Sequence, residues 1–513
     1  MNQKIHALLV YPEVPKNTYW SFQYALKFVG KKSAMPPLGL ITIASYFPDA
    51  YDLRLIDLNI QPLDDADLVW ADAVFISSMI VQKDSFNRVV EICRQFKKPV
   101  IAGGPYPSSS HEEIAGVDHF VLGEAEDILE DFLTDFEKGS AKRIYRAAEK
   151  PKLSHARVPR FDLLNMHAYC SMSIQYSRGC PFRCEFCDIW SVYGNKPRLK
   201  SSEQIMAEIQ ELYSRGWRGP VFVVDDNFIG NKRRVKKDLL PSLIAWQKAH
   251  GFVFRFFTEA SINMAEDSDL LSAMRRAGFG EVFIGIETPS NESLKETGKF
   301  QNIKSDMQEA IRTIQQHGME VMAGFIIGFD SDTDDIADRQ VEFIQQTGIP
   351  QAMVGMLTAL PGTLLYRRLK QEGRLLFASD GNNTHCHATN FQPKMGSDKL
   401  IRNYTKILST VYDRNMKNYF KRCSRLLDRI GQTHLFSRDV RAGEIRVLIR
   451  SVLRQPFTSY GYQYVKFLIK SLLKHRPVFS EAVRFGVIAH HFHKITQEMV
   501  KVEKISFGDT NRE

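Results

Sequence analysis

Three cysteines, Cys180, Cys184 and Cys187, fall in the run Cys-Pro-Phe-Arg-Cys-Glu-Phe-Cys. Three thiolates on one loop at CxxxCxxC spacing can hold three irons of a [4Fe–4S] cluster and leave the fourth iron open. Electron-carrier clusters are instead closed by a fourth Cys. An open iron can bind a small molecule and do chemistry on it. Zinc is a weaker account, because a structural zinc site takes four ligands and no second Cys or His pair lies nearby. A disulfide framework is weaker still, since seven Cys in 513 residues are too few. Three buried structural thiols are the remaining alternative.

Such a loop needs a scaffold. Residues 1–140 alternate short apolar strand signals, at His6–Tyr11, Leu53–Leu58, Ala73–Ser78, Pro99–Gly103 and His119–Leu122, with helix-period stretches such as Ser85–Phe96. That alternation predicts an α/β domain with a doubly wound parallel sheet. Ligands bind such sheets at the carboxyl ends of the strands. There stand Ser77 and Ser78, Gly103 and Gly104, and Gly123 and Glu124, small or flexible enough for backbone to approach a large, flat or phosphate-bearing ligand. Each also reads as an ordinary turn residue.

Residues 141–170, with Pro151 and Pro159, read as a linker. Residues 171–378 carry six further strand signals, at Ser173–Ser177, Val221–Asp225, Phe254–Ala260, Val282–Glu287, Val321–Phe329 and Met353–Leu360. Helical patterns separate them, and Ser201 or Ser202 with Glu203 offers a capped start to the first. Six βα units predict a partial barrel with its chemistry at the C-terminal strand ends. The cysteine loop directly follows the first of these strands. From 379 to 513 strand signals fade, and Arg402–Ile430 and Ala442–His493 read as helices rich in Lys and Arg.

The net charge of +9 is uneven. Residues 399–513 hold 23 Lys and Arg against nine Asp and Glu, about +14, which leaves about −5 for the rest. An anionic partner therefore belongs to the C-terminal part. No signal peptide and no bilayer-length apolar run are visible. Sparse, odd-numbered cysteines and an oxygen-sensitive cluster point to a reducing cytoplasm.

The motif Cys180-Pro-Phe-Arg-Cys184-Glu-Phe186-Cys187, with its aromatic residue before the last Cys, resembles that of the radical S-adenosylmethionine (SAM) superfamily. The resemblance implies that the open iron chelates the amino and carboxylate groups of SAM and that Phe186 lies against the adenine. It also implies contacts from Asp226 to the SAM amino group, and from Glu259 and Glu287 to the ribose and methionine parts, where carboxylates suit hydroxyls and an ammonium. A doubly wound domain before the barrel is similar to the cobalamin-binding members. So are Pro36-Pro37-Leu38-Gly39, Ala102-Gly103-Gly104-Pro105 and Gly123-Glu124-Ala-Glu126. Ser77, Ser78, Gly103, Gly104, Gly123 and Glu124 would then line the cobalamin crevice. The cobalt-ligating DxHxxG signature is absent, so cobalamin would bind without a protein His ligand. Asn390-Phe391-Gln-Pro-Lys-Met395 and the opening Tyr11-Pro-Glu-Val-Pro look like the subgroup that contains the hopanoid C-2 methylase.

The implied activity is a cobalamin-dependent C-methyltransferase acting on an unactivated carbon of a lipid or isoprenoid-like substrate, with a flavodoxin or ferredoxin as electron donor. Two rivals stand beside it: a radical SAM cyclase or rearrangement enzyme, and a cluster- or cobalamin-bearing sensor or carrier.

Other constellations carry blander readings. Thr384-His385-Cys386-His387 holds borderline metal ligands, but such a loop is more often without function. Cys93, Cys170 and Cys423 read as structural thiols. His490, His491 and His493 read as a solvated helix end. Lys466, Lys470 and Lys474 form a stripe beside Val465, Leu468, Ile469, Leu472 and Leu473. This is preferred as a packing helix with a solvated lysine face, with peripheral contact to an anionic membrane as the other reading. No nucleic-acid recognition motif is visible.

Overall fold

A computed structural model describes residues 4–382, 384, 388–431 and 442–508. The expected Thr384–His387 group lies outside the described residues apart from Thr384. In the N-terminal sheet β1 (Ile5–Tyr11) runs parallel between β2 (Tyr51–Asp57) and β3 (Ala73–Ser77), followed by β4 (Val100–Gly103), β5 (His119–Leu122) and β6 (Ile144–Arg146). The order is β2-β1-β3-β4-β5-β6, and it reverses direction beside β1, which opens a crevice there.

Helices cover both faces, so the strands are apolar on both sides. Leu8, Val10 and Ile76 face one core, and Ala7, Leu9 and Phe75 the other. The helix Lys83–Gln95 buries Phe86, Val89, Val90 and Cys93 at helical spacing, which places Cys93 in that core. β6 falls in the stretch read as linker.

After that strand, β7 (Met172–Ile174) leads into a two-stranded antiparallel ladder of β8 (Ser177–Arg178) and β9 (Arg198–Leu199). β10 (Pro220–Val223), β11 (Arg255–Glu259), β12 (Phe279–Glu287), β13 (Glu320–Ile327) and β14 (Ala352–Met356) follow. With β7 they form an all-parallel sheet in the order β14-β13-β12-β11-β10-β7, an open six-stranded barrel. The first intervening helix, Ser202–Ser214, starts at a reciprocal cap. The Ser201 hydroxyl accepts from Gln204 N–H, and the Gln204 side chain accepts from Ser201 N–H at 2.8 Å.

The C-terminal helices Ser397–Val411, Lys417–Ile430, Ala442–Arg454, Gly461–Lys474 and Phe479–Gly508 share one apolar core with the barrel. The Tyr412 hydroxyl donates to Ala352 O at 2.8 Å and accepts from Ala352 N–H at 2.9 Å. Arg422, fully buried, donates to Ile349 O at 2.7 Å and Val411 O at 2.9 Å. Below the barrel, Arg484 pairs with Glu281 (3.0 Å), Glu320 and Glu481, and Arg255 pairs with Glu281 (3.1 Å) and Glu481. This network seals the N-terminal ends of the strands. Segments far apart in the chain also meet: His491 Nε2 lies 3.0 Å from Tyr19 O, and Tyr24 bonds Glu498.

Two expectations are corrected here. His490, His491 and His493 are not a solvated end. His491 and His493 are buried, the three find Tyr460, Tyr19 O and Ser459 as partners, and burial pushes each down to about 4. The helix Gly461–Lys474 buries Tyr464, Phe467, Leu468 and Ser471, whereas Val465, Ile469, Leu472 and Leu473 are exposed. Apart from Leu468, the apolar residues beside the lysine stripe are not packed in the core. No described helix is long and apolar enough to cross a membrane.

Candidate functional site

The ladder β8–β9 carries the cysteine loop at the mouth of the barrel. Gly179 has φ +94, and a Cβ there would lie 2.7 Å from Gly194 O, so only glycine fits this turn. The loop is pinned from several sides. Cys180 N–H donates to Gly194 O (3.2 Å), Cys187 N–H to Cys184 O (3.2 Å), Glu185 N–H to Thr297 O (2.9 Å) and Trp190 Nε1–H to Cys184 O (3.3 Å). The Glu185 carboxylate takes a two-pronged bond from Arg368, at 2.6 and 3.1 Å.

Cys184 is buried, and Cys180 and Cys187 are half-buried. Burial pushes all three thiols up. Gln301 Nε2 lies 3.8 Å from Cys184 Sγ, and the Lys299 ammonium lies 5.8 Å from the Phe186 ring centre. Three soft thiols on one loop, with a lysine and an amide at hand for sulfur and its charge, are a donor set that fits an iron–sulfur cluster. Phe186 packs against Phe329, ring centres 6.1 Å apart.

Carboxylates crowd the ends of β10 and β11. Asp225 accepts from Tyr176 N–H at 2.8 Å and from the Ser177 hydroxyl, and burial pushes it up to about 7. Asp226 accepts from Gly179 N–H at 3.0 Å, and burial pushes it up to about 6. Glu259 is pushed up to about 8 by burial and then by Asp226 and Asp225. A site that crowds acids, with Arg178 near Asp226 but no ion pair to Asp225, Asp226 or Glu259 among the described residues, fits a cationic ligand such as the ammonium and sulfonium of SAM.

Glu287 sits at the end of β12, where the register with β13 shifts between Gly285 and Glu287. Its φ is +65, unusual for a residue with a side chain. It forms an ion pair with Lys299, and a Cβ on Gly285 would collide with that pair. Glu287 is therefore held by Lys299 rather than standing free.

A cavity of about 770 Å³ lies between the N-terminal sheet and the barrel. Ser77, Ser78, Gly103, Gly104, Gly123 and Glu124 line it from one side, and Gln175, Tyr193, Phe222 and Asp226 from the other. Gly104 has φ +87, and a Cβ on it would lie 2.5 Å from Ser77 Oγ. The Ser78 hydroxyl is buried with no hydrogen-bond partner among the described residues. An orphaned hydroxyl and a glycine-lined wall fit a large cofactor with polar edges.

The Glu124 carboxylate is already engaged. It accepts from Arg198 Nη2 (2.6 Å) and Nη1 (3.0 Å) and from Arg178 Nη1 (2.8 Å), while Glu126 also pairs with Arg178 at 2.6 Å. Both arginines belong to the ladder beside the cysteines. Sequence reasoning missed Arg178, Arg198, Lys299 and Gln301. Arg178 stands two residues before Cys180, a usable signal; the others carry none. Cys423 is buried and Cys170 half-buried.

Comparison with known proteins agrees with this geometry. Residues 31–133 match a family described as the B12 binding domain, 174–344 the Radical SAM superfamily, and 363–504 a domain of unknown function. The chain is 45% identical over 411 residues to an uncharacterized methyltransferase of Synechocystis sp., covering 80% of this chain and 76% of that one. It is 38% identical over 374 residues to the hopanoid C-2 methylase of Rhodopseudomonas palustris, covering 72% and 71%. The cobalamin-dependent S-adenosylmethionine radical enzyme OxsB, solved with aqua-cobalamin and SAM bound, shares the fold with a TM-score of 0.61 at 16% identity, over 99% of this chain and 82% of that one.

Proposed function

We propose, since the chain belongs to the radical SAM enzymes that carry a B12-binding domain and is a cobalamin-dependent radical SAM C-methyltransferase, that it methylates an unactivated carbon of a lipid or isoprenoid-like molecule. The observation that carries this reading is the single cavity shared by the glycine-lined sheet ends and the barrel mouth. Its apolar wall, with Trp20, Met35, Leu38 and Ile80, suits such a substrate. The similarity to a hopanoid C-2 methylase supports the same class.

Residues 1–140 serve as the cobalamin half, 141–170 as the connector, 171–378 as the barrel and 379–513 as a helical region. Cys180, Cys184 and Cys187 hold the [4Fe–4S] cluster. When bound, the cluster and SAM supply a hydrogen-abstracting 5′-deoxyadenosyl group and cobalamin supplies the methyl. Asp226 and Glu259 draw the cationic end of SAM, Glu287 with Lys299 orients its polar groups, and Phe186 offers a face to the adenine. Ser77, Ser78, Gly103, Gly104 and Gly123 let the corrin approach the sheet, while Glu124 fixes that sheet to the cluster loop. The two domains exclude water from the space between them. The electron comes from a flavodoxin or ferredoxin, and the enzyme works in the cytoplasm at a membrane surface.

The test uses anaerobically reconstituted protein with reductant, SAM, cobalamin and a lipid extract. About four irons per chain are expected. S-adenosylhomocysteine and 5′-deoxyadenosine should appear together with a lipid heavier by one methylene, and Cys184→Ala should abolish all three. An altered lipid with 5′-deoxyadenosine alone would establish the cyclase or rearrangement rival. Reduction without any SAM cleavage would establish the sensor or carrier.

A further inference from the structure

We infer that the outward face of the helices Ala442–Arg454 and Gly461–Lys474 is a docking surface for an anionic lipid bilayer. On the first helix Ile445, Ile449, Val452 and Leu453 are exposed, at i, i+4, i+7 and i+8. On the second, Tyr462, Val465, Ile469, Leu472 and Leu473 are exposed, at i, i+3, i+7, i+10 and i+11. Each set forms one stripe at helical spacing. Between them Phe457 is 88% exposed, and Leu473 is 81% exposed.

These helices are folded by their other sides. The Ser451 and Tyr464 hydroxyls lie 2.7 Å apart and join them, and Tyr460, Tyr464 and Phe467 point into the core. The exposed stripes therefore add nothing to that packing. Large apolar side chains left exposed at helical spacing on two helices joined by a hydrogen bond mark an interaction site rather than scattered surface residues.

Charge selects the occupant. From residue 445 to 480 there is no Asp or Glu, while Arg446, Arg450, Arg454, Lys466, Lys470, Lys474 and Arg476 give seven positive charges. Arg446, Arg454, Lys466 and Lys470 are exposed beside the apolar stripes. A second copy of the chain seated on this face would bring the like charges together. Nucleic acid would satisfy the charges and leave the aliphatic stripes in water. An anionic bilayer takes both: apolar side chains enter the acyl boundary and basic ones meet headgroups. The face lies in the region matched only to a domain of unknown function. The inference deepens the lipid-substrate reading by giving the enzyme a route to its substrate, yet vesicle binding is measured without turnover, so either can fail alone.

The experiment is flotation of the full-length holoenzyme with phosphatidylglycerol–phosphatidylcholine vesicles and with pure phosphatidylcholine vesicles, at low and high salt. Binding to the anionic vesicles, weakened by salt, is expected. Phe457→Asp with Leu473→Asp should lower partitioning about a hundredfold, since each side chain loses its insertion. Lys466→Glu with Lys470→Glu should remove the preference for anionic vesicles. Iron content and melting should not change in either variant, because the altered residues are exposed. Three results would each overturn the inference: wild type that ignores anionic vesicles, an apolar variant that binds like wild type, or a dimer that Phe457→Asp and Leu473→Asp dissolve while no vesicle is bound.

Discussion

Truncating Glu124 to Ala removes the carboxylate that joins the N-terminal sheet to the ladder beside the cysteines. The side chain is 3% exposed and accepts three charge-assisted bonds of 2.6, 2.8 and 3.0 Å from two arginines. Breaking a buried pair costs roughly 3–5 kcal/mol, because the remaining charge is stranded. Here the stranding is incomplete. Arg178 keeps Glu126 at 2.6 Å, and Arg198 keeps the carbonyls of Pro151 and Tyr193 at 2.8 and 3.1 Å. The expected cost is therefore at the low end, about 3 kcal/mol. For an unfolding unit of some 150–250 residues that lowers Tm by about 6–12 °C.

Anaerobic scanning calorimetry reads this, and the cycle of Glu124→Ala, Arg198→Ala and the double variant isolates the pair. A coupling above about 1.5 kcal/mol is expected, with Glu124→Gln between wild type and Ala. Methyl transfer should fall further than 5′-deoxyadenosine formation, since the former needs the sheet ends and the barrel mouth held together. A Tm within about 2 °C of wild type, or effects additive to within about 0.5 kcal/mol, would refute the idea that this cluster holds the two halves in register.

Three further outcomes follow from the site. Gly39 lines the cavity, and a Cβ built on it meets nothing within 4 Å, so Gly39→Trp should lower cobalamin loading at unchanged iron content; full loading would place the cofactor elsewhere. Asp226 and Glu259, raised to about 6 and 8, should bind SAM more tightly as pH rises through those values and they ionise, and Glu259→Gln should flatten the upper part of that titration. The SAM-free protein should show the opposite trend in its melting. A raised folded pKa contributes stability that is full below the unfolded value near 4 and lost as pH climbs through about 6 to 8. Melting that rises over that range would contradict the burial of these acids.

What was legible in the sequence was local or doubly apolar. β1, β3 and β4 are buried on both faces and so read as continuous apolar runs, and the cysteine spacing is contained in one loop. β6 was missed because Ile144 is 43% exposed and only Tyr145 is buried, which leaves no run to see. The apolar pattern of Gly461–Lys474 shows a helix but not which side faces inward, and the buried set runs through Tyr464, Phe467 and Ser471 instead. The histidines near residue 490 look solvated until Tyr460 and the carbonyl of Tyr19 arrive from distant parts of the chain. Glu124 stands among turn residues, and nothing beside it in sequence announces Arg178 and Arg198, which come from the ladder beside the cysteines. Lys299 reaches Glu287 only through a strand irregularity that no spacing rule announces.

The salt-bridge network under the barrel has a consequence for biosynthesis. Glu281 and Glu320 leave the ribosome long before Arg484, and Glu320 ends only 2% exposed. Burying the Glu320 carboxylate as an ion without its counter-ion is costly, so the barrel's lower rim closes fully only once the helix Phe479–Gly508 supplies Arg484. The segment around Tyr19 and Tyr24 waits for the same helix, which brings His491 and Glu498. Domains generally mature in the order of synthesis. In this chain segments far apart in sequence must be joined, so emergence of the helix Phe479–Gly508, rather than of the barrel, is the step at which these contacts can form.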